Sequence, residues 1–250
     1  MSTVQTAVIL AAGLGSRLKD RTACMPKGFL EIEGKSLIER SVDHLLQAGI
    51  KRILIGTGHA AEHYHAFASR YPQISCIHSE LYASTGSMYT FYNMRDMLAE
   101  PLLLLESDLL YHPSGLQALL QHPSPDVILA SSATNSGDEV FIETGDGNRL
   151  INMSKKQEEL CCVNAELVGI TKLSPDSYRR MFAYCESILN TQPKLDYEHA
   201  MAAVSDDLHP ITVLKIDQYP WCEIDDENHL QRALQDVWPR IGQYPFKEYS

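Results

Sequence analysis

A run of small residues, Leu10-Ala-Ala-Gly-Leu-Gly-Ser-Arg17, follows an apolar stretch, and Pro26-Lys27 comes soon after it. Glycines at 13 and 15 let a ligand approach the backbone, whose N–H groups can face phosphate oxygens. Arg17 adds a planar guanidinium fork and Lys27 an ammonium, so the pattern suits a polyphosphate. Two other phosphate motifs fit less well. The dinucleotide fingerprint needs a third glycine where Leu18 stands, and the phosphate-loop pattern suggested by Gly34-Lys35-Ser36 needs a glycine at Phe29. A tight turn with two surface cations is the competing reading of the glycines alone. Arg17, Pro26 and Lys27 in register argue against it.

His59-Ala-Ala-Glu62-His63 spells H-x-x-E-H, a zinc-peptidase pattern, but it falls on an amphipathic helix straight after a strand and is set aside. The 250 residues carry 32 acidic and 21 basic side chains, a formal net charge of −11. Such a chain is not built to coat nucleic acid or an anionic membrane, so any anionic ligand must be held by a few placed cations. The six cysteines (Cys24, Cys76, Cys161, Cys162, Cys185, Cys222) form no C-x-x-C pair and no zinc spacing, and read as reduced thiols. No apolar run approaches the ~20 residues of a membrane helix, and no leader pattern follows Met1. The expectation is a cytoplasmic protein with no membrane insertion and no nucleic-acid partner.

The elements that would hold these residues alternate. Strands are expected at 6–12, 52–56, 74–78 and 102–106, and helices at 36–48, 62–70 and 88–98. Ser36 with Glu39 makes a capping box, and Gly49 marks the stop of that helix. The second half is less regular. It has a strand at 126–131, a hairpin at 140–151 turning at Gly145-Asp-Gly147, and a strand at 166–173. A helix opened by Ser174-Pro175 follows, then a helix at 196–204, a strand at 211–216 and a closing helix at 228–238. The fold class is therefore α/β, a Rossmann-like, mostly parallel sheet flanked by helices. One domain over 1–250 is expected, with a nucleotide-binding part near 1–125 and an acceptor-binding part near 126–250.

With Met25-Pro-Lys-Gly-Phe-Leu30, Glu106-Ser-Asp108, Glu166-Leu-Val-Gly-Ile170 and Trp221-Cys-Glu-Ile-Asp-Asp226, the chain resembles the nucleotidyltransferases that activate sugar phosphates and polar-lipid precursors. Within them it looks most like the cytidylyltransferases of small aminoalkyl acceptors, which include bacterial phosphocholine and 2-aminoethylphosphonate enzymes. The resemblance implies the nucleotide-diphospho-sugar transferase fold and transfer of CMP from CTP to a phosphate or phosphonate oxygen. It places Leu10, Ala11, Ala12, Gly13, Gly15 and Ser16 on the nucleotide, and makes Arg17 and Lys27 catalytic. Ser84, Thr85, Gly86 and Ser87 would hold the base, although Ser84 or Thr85 could equally cap the next helix. That helix N-terminus would also favour an anion. Asp108 and Asp225 would hold Mg²⁺, while Asp226 reads equally well as a helix cap.

On the acceptor side the resemblance points to Lys155 and Lys156 for the acceptor's anionic group, with a merely solvated lysine as the competing reading for one of the two. Glu166, Asp196, Tyr197, Glu198, Trp221 and Glu223 gather carboxylates and aromatics suited to a cationic amine. Trp221 as core and Glu198 as a surface-helix residue are the plainer readings. The choline-using branch carries a tryptophan near the position of Val140, so this chain favours a primary amine, and 2-aminoethylphosphonate is the acceptor expected. Phosphocholine, a sugar 1-phosphate and a non-catalytic nucleotide-sensing role are the alternatives. Lys27→Ala is expected to lose turnover and keep the fold. A homodimer and a longer fusion chain both stay open.

Overall fold

The computed structural model describes residues 4–15, 18 and 25–245. The elements in order are β1 (Thr6–Ala11), β2 (Glu31–Ile32), β3 (Lys35–Ser36), α1 (Leu37–Gln47), β4 (Arg52–Thr57), α2 (Ala61–Ala68), β5 (Ile74–His78) and α3 (Ser87–Tyr92). Next come β6 (Leu102–Glu106), β7 (Leu109–Tyr111), α4 (Ser114–Gln121), β8 (Val127–Ser131), β9 (Phe141–Thr144), β10 (Leu150–Ser154) and β11 (Ala165–Leu173). The chain continues through α5 (Pro175–Ile188), α6 (Tyr197–Val204), β12 (Thr212–Ile216), β13 (Trp221–Glu223), α7 (Glu227–Arg232) and α8 (Trp238–Gln243).

The main sheet runs β10-β9-β11-β6-β1-β4-β5, with β8 along β11 and β12 beside β8. Strands β6, β1, β4 and β5 are parallel, and so is the β8–β12 pair; β11 runs antiparallel to its neighbours. This is the expected α/β sheet, parallel where the nucleotide-binding half was placed. β1 lies at its centre because all six of its residues are buried. Val8 and Leu10 join the core under α3, α5 and α6, whereas Ala7, Ile9 and Ala11 join the core under α1, α2 and α4. The period of two in a strand sends alternate side chains to opposite helical layers. A third, smaller core gathers Leu30, Ile32 and Leu37 with Leu110, Ile224, Leu230 and Val237.

Local signals held at the helix ends. Ser36 accepts the Glu39 N–H, Ser174 accepts the Ser177 N–H, and Gly49 takes a left-handed φ of 89°. Asp226 accepts the His229 N–H, so it caps α7. Three expectations change. Helix α3 stops at Tyr92, where Asn93 turns its amide to the Ser79 hydroxyl, and only a 3-10 turn follows at 95–97. At six residues it is too short to carry the anion argument made for its N-terminus. The closing helix runs past Pro239 because a π turn at Ala233–Val237 lets the Trp238 N–H reach the Ala233 carbonyl. Asp43 and His44, which the helix pattern of 36–48 leaves on its outer face, are half-buried: Asp43 pairs with Lys35, and the His44 ring lies 5.2 Å from that of Tyr111. Burial holds the His44 imidazole down to about 4. Among the described residues no helix is long and apolar enough to cross a membrane.

Candidate active site

At the carboxyl ends of β1 and β6 a cavity of about 480 Å³ opens, lined from the nucleotide side by Leu10 through Gly15, Pro26 and Lys27. Open α/β sheets place ligands at this edge. A Cβ added at Gly13 would meet nothing within 4 Å, and Gly15 takes a left-handed φ of 64°. The loop therefore presents bare backbone to the cavity. Ser16 and Arg17 lie outside the described residues.

Lys27 stands on a 3-10 turn whose next residue, Gly28, is pressed against the rest of the site. A Cβ on Gly28 would fall 2.7 Å from the Tyr64 hydroxyl and 3.1 Å from the Ser107 carbonyl. No side chain fits there, and the turn is held against the end of β6. The Lys27 ammonium consequently donates to Asp108 Oδ2 at 3.1 Å and also to Asp225 Oδ1. The two aspartates meet because β7 and β13 pair antiparallel, Glu223 opposite Leu109, and the Ile224 N–H donates to the Asp108 carbonyl at 3.0 Å. Three apolar residues after Asp108 were too short a signal for a strand, and so this ribbon was not foreseen.

Behind Lys27 lies an acidic floor that was only partly foreseen. Carboxylate oxygens of Glu106, Asp108 and Glu223 lie within 4.8 Å of one another. Burial, then Asp108, pushes the Glu106 carboxyl up to about 8, although the Tyr197 hydroxyl donates to its Oε1 at 2.6 Å. Burial, then Glu106 and Asp108, pushes Glu223 well up. Burial, then Asp196, pushes Glu198 up to about 8. Hard oxygen donors this close suit a Mg²⁺ ion that takes one or two of them and keeps waters in its other positions. Glu106 and Tyr64 were not among the expected site residues. Glu106 closes the apolar run of β6 two residues before Asp108, and that placement was a readable signal.

The acceptor candidates divide. Lys155, Asp196, Tyr197, Glu198 and Glu223 line the cavity, joined by the unforeseen Lys194. Burial lowers the Lys155 ammonium, but Asp138, Glu198, Glu223 and Asp196 outweigh it and leave the group raised. Lys156 is exposed and pairs with Glu159 at 3.1 Å, away from the cavity. Glu166 does not reach the cavity: its oxygens accept the Thr134 N–H at 2.5 Å and hydroxyl at 2.8 Å, tying down the 132–139 loop. Trp221 is 6% exposed, with its indole N–H donated to the Ser131 hydroxyl, so the plainer core reading holds. With Val140 these two line a recess of about 20 Å³, room for one water; the recess shares Glu106 and Glu223 with the main cavity.

Among the base candidates Thr85, Gly86 and Ser87 face the cavity, and Ser84 does not. Both hydroxyls of Ser84 and Thr85 donate to the Leu81 carbonyl, at 3.2 and 2.7 Å. The backbone N–H groups of Ser84 and Thr85 also reach Leu81, that of Gly86 reaches Pro193, and that of Ser87 reaches Asp196. The Ala83 N–H, also on the cavity, has no such partner among the described residues, so this loop leaves over both a donor and carbonyl oxygen. Neither His59, Glu62 nor His63 belongs to the two ligand-spaced clusters among the described residues, and the His63 ring sits 5.6 Å from that of Phe29.

Residues 7–191 match the model of the MobA-like NTP transferase domain, well over half of the chain. The chain belongs to this family. It is similar to 2-aminoethylphosphonate cytidylyltransferase of Lancefieldella rimae, 26% identical over 176 residues, 69% of each chain. It is also similar to choline-phosphate cytidylyltransferase of Haemophilus influenzae, 40% identical over 90 residues, which span 36% of this chain and 38% of that relative. Its fold matches the inositol-1-phosphate CTP transferase from T. maritima with a TM-score of 0.81 at 18% identity, over 97% of this chain and 98% of that one. Family and fold are thus those the sequence implied.

Proposed function

We propose that the chain transfers CMP from CTP to a phosphonate oxygen of 2-aminoethylphosphonate and releases pyrophosphate. The observation that carries this reading is the acidic floor. Glu106, Glu198 and Glu223 line one cavity and, beyond the effect of burial, hold each other's carboxyls up, so an ammonium placed among them would restore their ionised forms and pair with them, which a neutral sugar cannot do. Lys155 and Lys194 on the rim can face the acceptor's phosphonate while its amine points to the floor. The relative from Lancefieldella rimae bears the name of this activity, and that supports the choice. Trp221 in the core and valine at 140 leave no tryptophan on the cavity, which favours a primary over a quaternary amine. The similarity to the Haemophilus relative makes phosphocholine the second reading.

CTP would lie along the 10–15 backbone with its triphosphate toward Lys27 and Arg17. CTP as the donor nucleotide is supported by the names of the cytidylyltransferase relatives. A phosphonate oxygen, already ionised, attacks the α-phosphorus, and the bond from that phosphorus to the bridging oxygen breaks. The electron pair leaves with pyrophosphate, so no general base is needed. The chain's part is alignment and charge. Asp108 and Asp225, which share the Lys27 ammonium, are the proposed Mg²⁺ pair. When bound there, Mg²⁺ supplies neutralisation of the phosphate oxygens.

Pyrophosphate release with Mg²⁺ and CTP, offering 2-aminoethylphosphonate, phosphocholine and glucose 1-phosphate in parallel, tests the reading. The phosphonate should be the fastest acceptor. Faster release with phosphocholine would give the second reading, and release only with the sugar phosphate would overturn both.

A further inference from the structure

The base loop and the acceptor segment, over a hundred residues apart in sequence, are tied by a compact set of hydrogen bonds. The Gly86 N–H donates to the Pro193 carbonyl at 2.9 Å, and the Met88 N–H to the Leu195 carbonyl at 3.2 Å. Between them, Ser87 gives both its N–H (3.3 Å) and its hydroxyl (3.1 Å) to Asp196 Oδ1. The same hydroxyl accepts the Tyr197 N–H at 3.0 Å. Approach is so close that a Cβ on Gly86 would run into the Leu195 carbonyl. Tyr197 and Glu198 follow at once, on the acceptor side of the cavity.

From this geometry we infer that Ser87 is a positioning residue that makes nucleotide and acceptor binding reinforce each other. It touches the two halves together: its backbone continues the loop that faces the base, and its hydroxyl fixes the first turn of α6. A nucleotide that settles the 83–87 loop also settles Tyr197 and Glu198, and an acceptor held by those residues settles the loop. Ordering done by the first ligand is not repeated for the second, which appears as a coupling factor equal in both directions. Asp196 belongs to this tie more than to the acceptor, since its Oδ1 already receives two donors. The inference rests on the proposed pairing of CTP with a small anionic acceptor.

The test is the dissociation constant of α,β-methylene-CTP, which cannot turn over, with Mg²⁺ and with or without saturating 2-aminoethylphosphonate. In the unaltered protein the acceptor should tighten the analogue on the order of tenfold. Ser87→Ala should bring that factor below about threefold. Asp196→Ala, which breaks the tie from the other side, should do the same. Asp196→Asn, whose amide oxygen still accepts from Ser87, should keep most of the factor. A coupling near one in the unaltered protein, or an undiminished factor in Ser87→Ala with a native melting curve, would overturn the inference. Failure of the unaltered protein to bind the analogue at all would instead remove the functional reading beneath it.

Discussion

Lys27 sits between Asp108 and Asp225, and the second of these carboxylates is only 2% exposed. The sequence led to the expectation that Lys27→Ala would spare the fold. The structure revises that, because the substitution leaves two carboxylates facing each other with no cation between them. Removing one partner of a buried pair costs up to about 3–5 kcal/mol, and the partial exposure of Lys27 puts this case at ~2 kcal/mol. Lys27→Ala should therefore lower the melting temperature, recoverably with Mg²⁺, and cut kcat for pyrophosphate release ~100-fold or more. Unchanged kcat would remove Lys27 from the chemistry. Glu198 makes a second case. Its carboxyl is raised to about 8 from an ordinary 4.5, so the folded chain keeps a proton that the unfolded chain gives up. The stability it contributes is full below the unfolded value and is lost as pH rises through the folded one. Glu198→Gln should raise the melting temperature of the ligand-free protein at pH 8 by at least ~3 °C, and by much less near pH 5. The same variant should bind 2-aminoethylphosphonate more weakly. Thermal melts at the two pH values check the sign directly.

Two short elements place the site. The ribbon of β7 and β13 brings Asp108 to Asp225, and the turn at Lys27–Phe29 brings the ammonium to both. Gly28 is the tightest point of this arrangement, hemmed by the Tyr64 hydroxyl and the Ser107 carbonyl. Gly28→Ala should cost about 1–3 kcal/mol in chemical denaturation, as overpacking does. By shifting the turn it should also lower kcat more than it raises the KM of the acceptor. A variant of native stability and native kcat would show that the turn tolerates movement. The long apolar strands and capped helices were legible in the sequence because their signals are local: burial of every residue in 6–11, a capping serine at 36, a proline after Ser174. The ribbon was not legible, since three-residue strands take their stability from a distant partner. The shortening of α3 was likewise decided by Asn93 finding Ser79, a contact no window of sequence contains.

Across the whole molecule, a chain of net charge −11 gathers Lys27, Lys155 and Lys194 on the lining of one cavity. Composition called for a few placed cations, and Lys27 and Lys155 were candidates that the sequence offered. Which candidates belong together did not follow. Glu166 and Trp221 have the right chemistry for an amine, but the fold spends one on the 132–139 loop and the other on Ser131. Glu106, expected as a strand end, and Lys194, for which the sequence analysis made no proposal, both line the cavity. The claim that joins these observations is that one cavity takes CTP and a phosphonate bearing a primary amine. Phosphorus NMR of a reaction with CTP, Mg²⁺ and 2-aminoethylphosphonate tests it most directly. The expected result is a phosphonate resonance and a phosphate resonance coupled to each other through a new P–O–P bridge, together with one equivalent of pyrophosphate. An unchanged phosphonate resonance beside intact CTP, with the protein folded and Mg²⁺ present, would contradict it.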